Sequence, residues 1–218
     1  LERGDHAVIL MVGMHQDAHF LFFPSVTMTY HEAILIVPNV ELHDGSGPFA
    51  HLIQLQLDHV IPTVLGWLVG YPKVWSRVTP QRHGVQVDSR SGRPRSFHVA
   101  FEPHGDEGSP RDFEHFAACE KYFKQMLVSK LPSVTSPSGI TVVSQFDWQL
   151  DKARLQPLTA TLQGNFDLPG LNGHRTWKGI DVDRFGAFRL HCPFELVAPF
   201  SADAPEVQKQ LAAETVYR

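Results

Sequence analysis

Apolar and polar residues alternate along most of this chain with a period close to two, the spacing that puts one face of a strand in a core and the other outside it. Ala7 to Met14 is a short apolar run, and Glu32 to Leu42 (EAILIVPNVEL) is a second, interrupted by Pro38 and Asn39. In Phe49 to Leu57 (FAHLIQLQL), Ile53, Leu55 and Leu57 alternate with Gln54 and Gln56, which suit either solvent or a polar cavity. Val85–Asp88 and Ser96–Phe101, joined by Ser89–Pro94, read as a hairpin. Ile140–Leu150, Leu155–Phe166 and Phe185–Val197 add three long extended segments. Helical spacing occurs twice. Asp112 is a candidate N-cap for Phe113, Phe116, Ala117, Phe123, Met126, Leu127 and Leu131, ending before Pro132. A shorter helix is expected from about Asp58, as cap, to Val69, with Pro62 in its opening turn and Gly70 at its end. Many strands, few helices and no βαβ alternation predict a β-rich α+β fold. Its antiparallel sheet is expected to close into a barrel or cone, or to fold into a double sheet, with a ligand inside.

Composition narrows the picture. With 218 residues, 43% of them hydrophobic and 19% charged, the chain can build one core, and a single domain over residues 1–218 is expected. The net charge of −4 and scattered Lys and Arg exclude a general nucleic-acid binder. No apolar run approaches the roughly 20 residues of a membrane span. Two cysteines, Cys119 and Cys192, make no disulfide framework, so a reduced cytoplasmic setting is expected. The chain opens in what already reads as structured sequence, so a further N-terminal segment is expected before Leu1.

Most chemistry-bearing patterns are absent. There is no Gly-x-Ser-x-Gly elbow, no phosphate-binding glycine loop and no His-Glu-x-x-His, and no cofactor or metal is expected. The 13 histidines include His15 and His19, four apart, but in extended sequence they stand about 13 Å from one another, too far for one ion. They read as surface or hydrogen-bonded groups. The informative stretch is Leu65-Gly-Trp-Leu-Val-Gly-Tyr-Pro-Lys73-Val-Trp75. Flanked by Tyr71, Val74 and Trp75, Lys73 has two readings. Its stem snorkels over the aromatics, or its amine lies in apolar surroundings that favour the neutral, nucleophilic form.

Tyr30-His-Glu32-Ala-Ile-Leu-Ile-Val-Pro-Asn39 and Gly70-Tyr-Pro-Lys73, with Glu32 and Lys73 separated by 41 residues, resemble the two motifs of the acetoacetate decarboxylase-like superfamily. Gly186-Ala-Phe-Arg-Leu190 resembles a late strand of the same proteins. The resemblance implies that Lys73 forms an imine with a ketone and that Glu32 is the carboxylate beside it, or else a solvated residue at the sheet rim. Tyr71, Trp75, Trp67 and Tyr30 would line an apolar substrate pocket. Arg189 would serve an anion there or sit in a strand-face salt bridge. Departures from the pattern are specific. Val74 stands where a second lysine follows the first, Leu65-Gly66-Trp67 lacks an arginine, and an upstream carboxylate position falls at about Leu10. With Val74 in that place, burial alone must depress the Lys73 pKa, and a lysine at 74 would depress it further if its amine lay close by. The resemblance thus implies a cofactor-free lyase acting on a hydrophobic β-keto acid or polyketide-like ketone, within a homo-oligomer. The alternatives are a relative running aldol, dehydration, isomerisation or cyclisation steps, and a non-catalytic protein that binds an apolar ligand.

Overall fold

The computed structural model describes residues 8–20, 23–43, 45–68, 70–90, 96–113, 116, 120–122, 124–131, 139–168, 171–178, 187–201, 205, 207 and 209. Among these residues twelve strands form one mixed sheet. They are β1 (Ile9–Phe20), β2 (Phe23–Val40), β3 (Phe49–Leu57), β4 (Lys73–Gln81), β5 (Gly84–Ser89), β6 (Ser96–Pro103), β7 (Leu127–Leu131), β8 (Ile140–Trp148), β9 (Arg154–Leu168), β10 (Leu171–Lys178), β11 (Ala187–His191) and β12 (Phe194–Ser201). The one α-helix of more than a turn among the described residues, α1, spans Val60–Leu68.

Strand β3 is the organising element. One edge pairs with β2, which pairs with β1. The other edge is shared between two strands, both parallel to it. Leu55–Leu57 pair with the start of β4, and Ala50–His51 pair with β7. From this fork one arm runs β4-β5-β6-β9, with β10 and β11 both on the far edge of β9, and the other runs β7-β8-β12. The β4 arm folds behind β1–β3. Ala33, Leu35 and Ile53 pack there against Val78, Val87, Phe97 and Leu162. The β7 arm covers the front, where Ile34, Ile36, Leu52, Leu55 and Leu57 meet Leu127 and Phe146. The sheet therefore folds over itself on both sides without closing, and the expected antiparallel barrel or cone gives way to an open, mixed double layer. The two parallel pairings at β3 are the reason, since they split the sheet where a barrel would continue around.

Two irregularities carry sequence logic. A bulge shifts the β2–β3 register between Leu35/Gln54 and Ile36/Leu52. It keeps Ala50, Leu52, Leu55 and Leu57 on the front and sends Ile53 to the back cluster, against strict period-two alternation. Asn39 has φ +58 and exchanges hydrogen bonds with Gln125, whose Oε1 accepts the Asn39 N–H and whose Nε2 donates to Asn39 Oδ1. That left-handed position explains why asparagine follows Pro38.

The helix expected from Asp112 to Lys130 is not continuous. Asp112 closes a single 3-10 turn, Pro110–Asp112, and Leu127–Leu131 is a strand. Leu127 and Val128 are drawn into β7 because pairing with β3 and β8 buries them more completely than a helix stripe could. The descriptions of Ala117, Cys119 and Phe123, of the 91–95 turn and of residues 132–138 and 185–186 lie outside the described residues.

Candidate active site

Lys73 is in register with Leu55, and Glu32 with Leu57. Leu55 and Leu57 lie two apart on β3, so they share a face, and their partners on either side share it too. The pairing therefore brings the amine and the carboxylate together on the front of the sheet, across β3. Lys73 Nζ lies 3.8 Å from Glu32 Oε2, with the two side chains 10% and 5% exposed. At that distance the contact is electrostatic rather than a hydrogen bond. Glu32 is buried at the sheet centre and not solvated at its rim.

The local sequence explains how a lysine arrives there. Helix α1 ends in a double cap: the Tyr71 N–H donates to Gly66 O at 2.9 Å and the Gly70 N–H to Trp67 O at 3.1 Å, with Gly70 at φ +84. After Pro72, the Lys73 N–H donates back to Tyr71 O at 2.8 Å and the chain enters β4. A Cβ on Gly66 would overlap Cδ and Cε of Lys73, so the glycine is what lets the lysine stem pass beneath the helix. The Trp67 indole N–H donates to Lys73 O at 2.7 Å and fixes the helix over the strand. Asp58 does not cap α1. Its Oδ1 accepts the His31 N–H and its Oδ2 meets His31 Nδ1, both at 2.8 Å, while His59 Nδ1 accepts the Ile61 N–H. Asp58 thus ties the strand carrying Glu32 to the segment that opens α1.

The surroundings set the charges. Burial pushes the Lys73 amine below its ordinary 10.5, and Glu32 opposes that in part. Tyr30, two residues from Glu32 and on its face, and Tyr71, whose ring lies 5.9 Å from Nζ, are both held more firmly protonated by burial and by Glu32. The Tyr71 hydroxyl bonds Ser144 Oγ on β8 at 2.5 Å, joining the site to the front arm. His15, opposite Tyr30 in the β1–β2 register, stacks on that ring at 4.7 Å and meets Phe194 edge-on at 5.4 Å. Burial lowers its pKa; Glu32 acts against this, and Lys73 and His31 add to it. The sequence held no local sign of His15's place, because only the β1–β2 register brings it beside the Tyr30/Glu32 pair. Gly13 lies opposite Glu32, and a Cβ there would meet nothing within 4 Å, which leaves room beside the carboxylate. Along the same face runs an apolar crevice between Met11, Ile36, Ala50, Leu127, Phe146 and Trp148.

Lys73, Glu32, Tyr30 and Tyr71 thus gather in one place. Trp75 shares their sheet face through its register with Leu57 but is not enclosed, while Trp67 and Arg189 lie elsewhere. Trp67 is 52% exposed on the outer side of α1, and Trp75 is 41% exposed beneath the Arg90 guanidinium. Arg189 is on β11, donating to Gln156 Oε1 at 3.5 Å and lying over Phe101. Val74 is in register with Gln56 and faces the back of the sheet, away from Lys73. Leu10 pairs with Leu35 and packs in the back cluster. Among the described residues no group of three His, Cys, Asp or Glu side chains gathers as a metal site. No helix among them is long and apolar enough to cross a membrane.

No protein-family model and no curated protein sequence matches the chain. Solved structures do. The enduracididine biosynthesis enzyme MppR complexed with pyruvate superposes with a TM-score of 0.50 at 12% identity, over 80% of this chain and 67% of that one. MppR complexed with the condensation product of pyruvate and imidazole 4-carboxaldehyde gives 0.50 at 13%, over 82% and 68%. The acetoacetate decarboxylase of Legionella pneumophila gives 0.45 at 13%, over 79% and 65%. The chain spans about two thirds of the length of these proteins and shares the fold of MppR.

Proposed function

We propose that this chain is an enzyme whose Lys73 forms an imine with a keto substrate and uses it to break or make a carbon–carbon bond. The observation that carries the reading is a largely buried amine with a lowered pKa, 3.8 Å from a buried carboxylate on the packed front face of the sheet. The neutral Nζ attacks the ketone carbon, and uptake of one proton with loss of one water leaves the iminium. In a β-keto acid the bond to the carboxylate carbon then breaks. Its electron pair moves into the C–C bond of an enamine and neutralises the iminium nitrogen, and carbon dioxide departs. A proton returns to the carbon, with Glu32 as the proton carrier, and water hydrolyses the imine to release ketone and amine. The nitrogen is the electron sink throughout, so no cofactor enters the cycle. The space over Gly13 is the substrate's approach to Glu32.

A second reading of the same imine has its own support. His15, held towards the neutral form beside Tyr30, adds a proton carrier, while Arg189 lies outside the site. A site with two proton carriers and no arginine among the described residues suits aldol or dehydration steps on the enamine. The MppR structures with pyruvate and with its condensation product support keto-acid condensation as the model for that chemistry. Incubation with pyruvate or acetoacetate and borohydride, followed by peptide mass analysis, tests the shared step. A reduced adduct on Lys73 is expected, and its absence with both ketones would leave an apolar-ligand-binding protein. Carbon dioxide release from acetoacetate then separates decarboxylation from condensation.

A further inference from the structure

Beside Lys73 lies a group of hydroxyls that the imine cycle does not use. Strand β7 leaves β3 after the Val128–His51 pair, and β4 joins β3 at the Lys73–Leu55 pair. Ser129 is the first residue of β7 past its pairing with β3, so it stands where the two arms separate. It lies two residues from Leu127 and shares that residue's inward face. Ser144, opposite Leu127 on β8, shares it too, which makes Ser129 and Ser144 diagonal neighbours, about 7–8 Å apart. Tyr71 reaches into the same place, with its hydroxyl on Ser144 Oγ and its ring 5.9 Å from Lys73 Nζ. Ser129, Ser144 and Tyr71 are 5%, 3% and 5% exposed.

Their hydrogen bonding is incomplete. Tyr71 and Ser144 bond one another, which uses one of their two hydroxyl protons and leaves one over. Ser129 Oγ is, among the described residues, the buried side-chain polar atom with no partner at all. A hydroxyl taken out of water costs stability unless something bonds it. Two O–H donors therefore remain on one inward face near the amine. Burial foremost keeps the Tyr71 proton in place. Position selects the ligand. Glu32 meets Lys73 from β2, across β3, whereas the hydroxyls come from the β7 and β8 side. A keto acid held at Nζ turns its own carboxylate away from Glu32, since like charges repel. That places it towards the hydroxyls, and a carboxylate accepts two donors readily. We propose that Ser129 and the Tyr71–Ser144 pair bind the carboxylate of a keto-acid substrate, an inference that rests on the imine reading of Lys73. Neutral hydroxyls, rather than a guanidinium, then orient the acid, while Arg189 stays on β11 with Gln156.

Borohydride trapping at Lys73 with pyruvate, levulinate and acetone tests this. Levulinate carries its carboxylate two carbons further from the ketone than pyruvate does, so the two acids bracket the reach. At least one acid should be trapped at lower concentration than acetone. In Ser129→Ala that advantage should fall about tenfold, the worth of one hydrogen bond to a charged group. The variant should melt no lower than the wild type, because it loses an unbonded hydroxyl. An unchanged advantage overturns the proposal. So does a variant that melts lower with its advantage intact, which would give the hydroxyl to a structural water. Acetone trapped as readily as both acids also sinks it. Should no ketone be trapped, the imine reading falls by itself, and calorimetric titration with levulinate judges the subsite. Binding that weakens in Ser129→Ala sustains it, and equal or absent binding overturns it.

Discussion

Strand β3 carries a buried polar pair on each side of it, and the two are built for different work. Behind it, Ser76 Oγ donates to Gln56 Oε1 at 3.0 Å, with Ser76 and Gln56 0% and 6% exposed. Both groups are neutral and bonded, which is how a core accommodates polarity without storing anything. In front, Glu32 is buried and Lys73 largely so, yet they are ionisable and stand 3.8 Å apart, too far to hydrogen-bond one another. A buried amine and carboxylate that do not hydrogen-bond one another are the arrangement the proposed imine chemistry needs. The same strand, one residue along, thus has a neutral bonded pair on one face and the proposed reactive pair on the other.

The largest effect should come from Lys73→Met. Imine trapping should vanish while the fold persists, and a variant with full turnover would show the chemistry to be non-covalent. The stability consequence has a definite sign. With its folded pKa below the ordinary 10.5, Lys73 binds protons less readily in the folded state, so its burial penalty is full at low pH and fades as pH rises towards 10.5. Denaturant titrations should show the wild type gaining on the Met variant across that window, and a flat difference would mean the amine is not desolvated.

Glu32→Gln should act next. Removing the charge that partly sustains the ammonium lowers the Lys73 pKa further, so the rising limb of trapping against pH should move to lower pH. Turnover should fall with the loss of the proton carrier. A limb that does not move would separate the two groups electrostatically, whatever their distance. Gly66→Ala follows. Its methyl would displace the Lys73 stem, and a misplacement of about 1 Å can cost roughly a hundredfold in rate. Alanine improves helix propensity by about 1 kcal/mol over glycine. Activity and stability should therefore part company, and unchanged trapping would show that the stem has room to spare.

Ser76→Ala probes the rear pair. It strands Gln56 Oε1 in a buried site and should lower stability by about 1–3 kcal/mol in a chemical melt. Trapping at Lys73 should not change. A loss of trapping beyond the loss of folded protein would mean that the two faces of β3 are coupled.

How legible this was from sequence depends on how far the determining contact lies along the chain. Gly70, Pro72 and Lys73 are local, and their cap and turn were readable from residue types alone. The strands of β2 and β3 were readable from alternation, except at Ile53, where a bulge overrides the period. The reach of β7 was not, because Leu127–Leu131 fits a helix stripe equally well until β3 and β8 claim it. Nor was His15, whose relation to Tyr30 exists only through pairing. Trp67 and Trp75 flank the lysine in sequence, yet Trp67 stands on the outer side of α1, and Trp75, though on the lysine's face through its register with Leu57, is 41% exposed beneath Arg90.

The smallest effect is expected where sequence proximity suggests a large one. A lysine at 74 would adjoin Lys73 in the chain, and two ammonium groups side by side would depress each other. But Val74 is in register with Gln56, and successive strand residues point to opposite faces. Val74→Lys should therefore send its amine to the Gln56 and Ser76 side of the sheet. The burial of its long stem beside that neutral pair should cost some stability. The pH at which Lys73 becomes trappable should hardly change, since the sheet stands between the amines. Were that pH to fall clearly, the β4 register at its first residues would have to shift by one. Glu32 and Lys73 could not then share a face, and the front pair would lose its geometric basis.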